Sequence, residues 1–457
     1  MGLPLPTRHS ADELGRPSRK AATVALEAHL EIQKGEPLRA ALSRALKEEG
    51  KLGGHERRFA AFATRSLSRH QRYLDLAARA LGHPPGRWLL PEDRSLVRFA
   101  LWRRLFTGAG WREISSELKL PGPIRPRTIH DQLLQELVEA SLPELGEDLD
   151  DPVERDAAMH SLPNWLAKAL ASSAPEGEVE TLFAALNLEP SLFLRARPPG
   201  ARDERLAELH AEGIAAEQVP WAPDAIRISE PGMRVFDSAP MKRGLLQVQE
   251  PGSQLIAALG RIDVPRTLAV DACAGAGGKT LALADLVGAG GRVVATDKSR
   301  RRLEEARRRV REFGLRNVSF PDPAPVKDAD LVLVDAPCSG TGSLAREPEQ
   351  KWRLTAAAVK KFSETQREIL EATVAALKPG AVLVYATCSL LREENEDVVA
   401  ALLEAHPELR LEPAGEVLGP SAAPVTEGPY LRVWPHRTAS GGFFAARLRR
   451  VEQATGG

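Results

Sequence analysis

Three cysteines and three tyrosines in 457 residues make this a chain poor in thiols and in phenol rings. Cys273, Cys338 and Cys388 lie 65 and 50 residues apart, too sparse for a disulfide scaffold and without the neighbouring Cys or His of a structural zinc site. They read as free thiols, and no metal is expected. Net charge is also missing, because 62 Lys and Arg balance 62 Asp and Glu, so no bulk field draws the chain to nucleic acid or membrane. There is no uninterrupted apolar run long enough for a spanning helix, and residues 1–20 lack the apolar core of a signal peptide. A cytoplasmic protein with no membrane partner is the expectation.

What is present divides into segments. The length suits two to four domains. Residues 21–140 repeat Leu, Val, Phe and Ala at three- and four-residue intervals, the period of packed helices. Between Lys51 and Arg104 basic residues outnumber acidic ones about threefold, with Arg57, Arg58, Arg65, Arg69, Arg72 and Arg79 interleaved with Phe59, Phe62, Tyr73, Leu76 and Leu81. Such a face suits phosphates as well as it suits solvent. Residues 141–154 are rich in Asp, Glu and Pro, the composition of an exposed connection. An amphipathic segment at 162–170, strands at 192–196 and 225–228 and a helix at 204–213 follow, then from residue 268 short apolar runs at 268–270, 293–295, 331–334 and 382–385. Runs of that kind alternating with helices predict buried parallel strands. The intervening stripe Leu303, Ala306, Val310 and Phe313 gives one helix an apolar face opposite an arginine-rich, solvated one. Residues 415–429 read as a loop.

The first of these strands runs into Asp271, Ala272, Cys273, Ala274, Gly275, Ala276, Gly277, Gly278, Lys279 and Thr280, a glycine turn between strand and helix where backbone N–H groups can approach a polar ligand. A nucleoside triphosphate loop would need glycine at 273, where cysteine stands. Asp297, 26 residues after Asp271, ends the second strand, where a carboxylate can accept from ribose hydroxyls, and Asp322 lies past a third strand as a partner for an adenine amine. With Arg302, these residues form the candidate cofactor site. An NAD-dependent oxidoreductase shares this architecture until the next two strand ends are read. The fourth ends in Asp335, Ala336, Pro337 and Cys338, the fifth in Thr387, Cys388 and Ser389. Two thiols at adjacent strand ends have a chemical use: cytosine C5 is a poor nucleophile until a thiolate adds at C6, and covalent catalysis divides the reaction into addition, methyl transfer and elimination. Asp335 can bond the cytosine edge. Cys273, flanked by alanines, reads as packing below the cofactor.

With Val248-Gln249-Glu250-Pro251-Gly252-Ser253-Gln254, Glu394-Asn395-Glu396 and Trp434-Pro435-His436-Arg437, these motifs make residues 159–450 resemble the Nop/Sun family of RNA cytosine-5 methyltransferases, including its bacterial small-subunit rRNA branch. The resemblance implies an α/β fold: a Rossmann-like class I S-adenosylmethionine-dependent methyltransferase domain (248–453, tail 454–457), a small α/β RNA-binding module (159–247), an acidic linker (146–158) and an all-helical, NusB-like RNA-binding domain (1–145). It further implies Cys388 as nucleophile, Cys338 as the thiol that promotes release, and Lys279 and Asp335 as assistants at the donor and base sites; DNA relatives attack with the proline-cysteine thiol instead. The implied partner of a monomeric enzyme is structured RNA, 16S rRNA or a ribosome-assembly intermediate, with tRNA the alternative substrate and a non-catalytic RNA-binding or assembly factor the alternative function. Three departures stand out. Ala276 replaces a proline of the glycine loop, Leu194-Arg195-Ala196-Arg197-Pro198 replaces Leu-Arg-Val-Asn-Thr, and no acid precedes Gly441-Gly442; the last two suggest a shifted RNA specificity. Lys351 is a candidate phosphate contact, and Trp352 a packing residue.

Overall fold

The computed structural model describes residues 17–83, 90–118, 131–146, 149–229 and 234–451. They form two units, Met1–Leu188 with Leu344–Leu354, and Glu189–Ser343 with Thr355–Gly457. The tail 454–457 and two acids of the expected linker, Glu147 and Asp148, lie outside the described residues.

In the first unit the helical period is realised by Arg19–Gln33, Leu38–Glu48, Gly54–Arg69, Gln71–Ala80 and Pro91–Thr107, followed by shorter helices. Their shared stripe buries Leu26, Phe59, Leu67, Leu74, Phe99 and Trp102. Phe59, Phe62 and Phe99 surround the Trp102 ring with centroids 5.9, 6.1 and 5.8 Å away, tilted as ring quadrupoles prefer. Much of the local arginine excess is consumed inside this unit. Arg98 forms a two-pronged pair with Asp75, Arg103 does the same with buried Glu117, Arg104 donates to the carbonyls of Leu137 and Ala140, and Arg69 is buried with one Nη on the Ala345 carbonyl. Arg57 and Arg58 remain exposed.

The acidic stretch is not a plain connection. Residues Pro152–Met159 are helical, because Asp151 caps the N–H groups of Val153 and Glu154 and Pro152 occupies the first turn, where its missing N–H costs nothing.

The segment Leu344–Leu354 belongs to this helical unit although it follows the cysteine-bearing loop in sequence. Lys351 is fully buried there, and its Nζ donates to the carbonyls of Arg69 and Ser161 at 3.1 and 3.3 Å and to Asn187 Oδ1 at 2.6 Å. It therefore meets no phosphate. Burial, with Arg69 nearby, holds its pKa well below the ordinary lysine value. Trp352 packs as expected and donates its indole N–H to the Ser68 carbonyl at 2.7 Å.

In the second unit, β1 (Leu192–Ala196), β2 (Ala216–Gln218), β3 (Ala225–Ile228) and β4 (Leu246–Val248) form an antiparallel sheet of order β2-β3-β1-β4. The larger sheet contains β5 (Leu268–Asp271), β6 (Arg292–Ala295), β7 (Val318–Ser319), β8 (Leu331–Asp335) and β9 (Val382–Thr387), all parallel, in spatial order β7-β6-β5-β8-β9. The strand order reverses between β5 and β8, so the carboxyl ends of these strands open a crevice there. β10 (Leu409–Glu412), β11 (Thr426–Glu427), β12 (Tyr430–Val433) and β13 (Phe443–Arg450) complete the sheet, with β13 antiparallel to β9. The expected loop at 415–429 instead holds the end of helix Ala414–Leu418, a 3-10 turn Pro420–Val425 and β11; Ala422 and Val425 are buried beneath it, and that packing outweighs the local Gly and Pro content.

Lys351→Ala should destabilise the helical unit by about 2–4 kcal/mol, since three buried acceptors lose their donor and a side-chain-sized void opens. Chemical denaturation followed through tryptophan fluorescence measures it, and wild-type stability would show the Lys351 amino group to be dispensable.

Candidate functional site

The register of β8 on β9 decides the centre of the site. Val334 pairs with Tyr385 and Asp335 with Ala386, so the loops that leave the two strands run side by side. Cys338 and Cys388 meet with their Sγ atoms 3.3 Å apart. Next to them Lys279, from the first turn of helix Gly278–Val287, reaches Asp335 Oδ2 at 2.7 Å, and its ammonium lies 6.0 Å from the centre of the Phe443 ring.

These charges condition one another. Burial presses Lys279 toward neutrality, but the adjacent Asp335 carboxylate, with Cys388 and Asp271, more than reverses it, and the lysine pKa stands above its ordinary value. The hydrogen bond from Cys338 lowers the Cys388 thiol below the ordinary thiol range; burial and Asp335 oppose the shift and Lys279 assists it. The same bond, burial and the Glu394 charge push Cys338 up. The two shifts run in opposite directions and put the single proton of the pair on Cys338, with the hydrogen bond between the thiols the largest cause of each.

The glycine loop lies beside this centre. Gly277 has φ of +84°, and an added Cβ would stand 3.0 Å from the Ala306 side chain, so only glycine permits both the left-handed turn and the close approach of the helix Arg300–Glu312. Gly275, at φ +53°, and Gly278 have open space on the side a Cβ would take. Asp297 Oδ2 accepts from the Gly275 N–H at 2.8 Å and Oδ1 from the Ser299 N–H at 2.7 Å, which fixes the carboxylate against the loop with lone pairs to spare. Asp271 is fully buried; one oxygen accepts from Thr280 Oγ1 at 2.7 Å, and Oδ1 is buried without a partner. Burial carries its pKa to about 7 against the pull of that hydrogen bond. An orphaned buried carboxylate oxygen, open glycine backbone and a strand-end acid fit a cationic adenosyl ligand bearing an amine and ribose hydroxyls.

Other expected donor-site residues divide. The Ala272 and Ala274 N–H groups are tied to Leu333 and Thr296 carbonyls, so they shape the loop. Cys273 packs against the core, and burial raises its thiol to about 12. The side chain of Arg302 is exposed, and its backbone N–H is capped by Ser299. Asp322 is exposed beyond β7.

Three groups could not be placed from the motifs alone. Arg195 and Arg197 both turn onto buried Asp285, at 2.7 Å each, and Arg197 stacks on Phe313 at 4.8 Å; this departure from the family pattern is an internal lock joining β1 to the helix behind the glycine loop. Gln247 and Gln249 donate to the Gly278 carbonyl at 3.0 and 3.3 Å, and Gly252 packs so tightly on Phe443 that a Cβ would collide with its ring. Gly342 and Gly442 meet backbone to backbone, and Gly442 N–H donates to the Gly342 carbonyl at 2.8 Å. The Glu250 carboxylate accepts from the Gly441 N–H at 2.9 Å and so supplies an acid beside the glycines from elsewhere in the chain.

Comparison with known proteins agrees with this geometry. Residues 264–449 match the model of the 16S rRNA methyltransferase RsmB/F family, and residues 162–235 match its ferredoxin-like domain. The ribosomal RNA small subunit methyltransferase B of Sodalis glossinidius is 33% identical over 309 residues, 66% of this chain and 68% of that one. A Mycobacterium tuberculosis protein named as a methyltransferase is 36% identical over 310 residues, 66% of this chain and 66% of its own, just under two thirds of that relative. The crystal structure of PH0851 superposes with a TM-score of 0.74 and 27% identity, covering 94% of this chain and 98% of that one.

Asp297→Ala should weaken binding of S-adenosylmethionine by about 1–3 kcal/mol, the cost of leaving bound hydroxyls and the Gly275 N–H unmatched; calorimetric titration giving unchanged affinity would remove Asp297 from the donor site. Lys279→Met should move the pH midpoint of Cys388 alkylation upward, since it removes the cation that favours the thiolate and frees the Asp335 charge that opposes it. A midpoint that stays or falls would show that Lys279 does not govern the thiol.

Proposed function

The chain belongs to the 16S rRNA methyltransferase RsmB/F family, and from that membership we propose that it methylates C5 of a cytosine in 16S rRNA through a covalent bond between Cys388 and cytosine C6. The observation that carries this reading is the pair of thiols in contact beside an ion-paired lysine and aspartate at the crevice of the sheet. A methyltransferase acting on an already nucleophilic nitrogen or oxygen would need neither thiol.

S-adenosylmethionine supplies an electrophilic methyl group on a sulfonium sulfur. Asp271, the open glycine loop and Asp297 bind that donor. Cys388 enters as the thiolate, held by the Cys338 S–H and the Lys279 charge, and adds to C6; the electron pair displaced toward C5 makes that carbon the nucleophile. Asp335, oriented by Lys279, accepts from the exocyclic amine and balances charge at the pyrimidine edge. After the methyl group is on C5, the C5 proton is lost to solvent and the C6–S bond breaks with its electrons returning to Cys388. Cys338 again donates to the departing thiolate, which makes it a better leaving group. That division of labour agrees with the family resemblance, in which the Thr-Cys-Ser thiol attacks and the Pro-Cys thiol serves release. The small antiparallel module and the exposed basic residues of the helical unit, among them Arg57 and Arg58, are the surfaces proposed to hold structured RNA.

The two cysteine variants separate attack from release. Without Cys338, Cys388 becomes a more basic thiolate and a poorer leaving group, so Cys338→Ala should accumulate a methylated protein–RNA adduct on denaturing gels. Cys388→Ala should give neither adduct nor turnover, and the double variant should match it. Donor binding is verified first. Adduct in the Cys388 variant and none in the Cys338 variant would reverse the roles. Bisulfite mapping of 16S rRNA from cells with and without the gene identifies the substrate, and an unchanged 16S pattern with a lost tRNA mark would move the activity to tRNA.

A further inference from the structure

Bonded to the loops of both cysteines is a fully buried carboxyl group whose hydrogen-bond partners are all neutral. Glu394 sits in the short 3-10 turn Arg392–Glu394 after β9 and has no exposed surface. Its Oε1 accepts from the Ser339 N–H at 2.8 Å and from Gln366 Nε2 at 3.0 Å. Its Oε2 accepts from Ser389 Oγ at 2.5 Å and from Ser339 Oγ. The Tyr385 hydroxyl donates to its main-chain carbonyl at 2.5 Å. Four hydrogen bonds converge on the one carboxyl group; burial raises its pKa above the ordinary glutamate value, and the bonds from Ser339, Ser389 and Gln366 work against that shift and favour the ionised form.

The donors come from two places that matter. Ser339 follows Cys338, and Ser389 follows Cys388. Thr341 braces the same shell: its hydroxyl lies 3.2 Å from Ser389 Oγ and accepts from the Leu390 N–H at 2.8 Å. Each cysteine is therefore one residue from a strut that ends on the same carboxyl group, Ser339 on both oxygens and Ser389 on Oε2. We propose that Glu394 is a positioning residue for the thiol pair, holding the Cys338 and Cys388 loops in contact and, by its charge, keeping the shared proton on Cys338. A pure packing role would be met more cheaply by an apolar side chain, since burying an ion without a countercharge is costly. The arrangement is also asymmetric. The Glu394 charge raises Cys338, whereas at Cys388 the Asp335 charge raises and the Lys279 charge lowers, so the two members of that ion pair oppose one another there. Of the other ionisable groups, Asp335 reaches Cys388 from the base side, and Arg367, Glu396 and Cys338 surround Tyr385 with Glu394.

The purpose of this device rests on the two-thiol reading given above, but its test needs neither RNA nor methyl donor. The full-length protein is treated with limiting iodoacetamide at neutral pH, and modification of Cys388 relative to Cys338 in the same digest is quantified by peptide mass spectrometry. Wild type should favour Cys388 by about tenfold or more, as thiolate fraction sets the rate. Glu394→Gln, which keeps most hydrogen-bonding capacity and removes the charge, should narrow that preference by about fivefold or more, while Glu394→Asp, which keeps the charge, should restore at least half of it. Methyl transfer by Glu394→Gln should fall in kcat with the donor KM unchanged. If Glu394→Gln does not fold, Ser389→Ala removes one strut and leaves the carboxylate in place, and it should still change the alkylation ratio. A wild-type ratio in a folded Glu394→Gln protein, or in Ser389→Ala, overturns the proposal. The predicted ratios in a protein that leaves RNA cytosine unmethylated would instead keep the clamp and overturn the proposed function.

Discussion

The parallel pairing of β8 with β9 is the constraint on which the site depends. Side chains alternate along a strand, so a one-residue slip would turn Asp335 and the residues leading to both cysteines to the opposite face. The register is held by the apolar runs 331–334 and 382–386, buried in two core clusters, and by antiparallel β13 closing on β9 from Val382 to Thr387. The glycine contact between Gly342 and Gly442 extends this closure past the strand ends into the loops. Two thiols 50 residues apart in sequence thereby meet at hydrogen-bonding distance.

Around that contact the protein buries several charges, each stabilised differently. Lys279 and Asp335 neutralise one another. Asp285 answers two arginines, Arg195 and Arg197. Glu394 is satisfied by four neutral donors. Asp271 keeps an unpartnered oxygen, as Glu349 and Glu396 do among the described residues, and of the three it is the acid at the mouth of the glycine loop. An unmatched buried acceptor is costly in the absence of a ligand, and at Asp271 it coincides with open glycine backbone and a strand-end acid.

Arginine illustrates why charge counting in a sequence misleads. The excess between Lys51 and Arg104 was as compatible with an RNA face as with a wet bundle surface, yet Arg69, Arg98 and Arg103 are buried, and Arg98, Arg103 and Arg104 spend their donors on internal carboxylates and carbonyls. On the helix Arg300–Glu312, by contrast, the apolar stripe predicted a solvated opposite face, and Ala306 and Val310 are the buried positions. Period told which face was covered; it carried no information about where a long, flexible guanidinium would end.

The sequence by itself determined the class of fold, the four parallel strands that build the crevice, the glycine loop and the identity of the chemical groups, because hydrophobic period, strand-end placement and turn chemistry are local properties. It also placed β1 and β3 residue for residue. Tertiary structure decided what needs partners from distant segments: that Lys351 is an interior strut of the helical unit and not a phosphate contact, that Arg195 and Arg197 lock onto Asp285, that residues 415–429 take regular structure, and that Glu394 joins both cysteine loops. A buried polar group is defined by the atoms that satisfy it, and those atoms come from parts of the chain that only folding brings together.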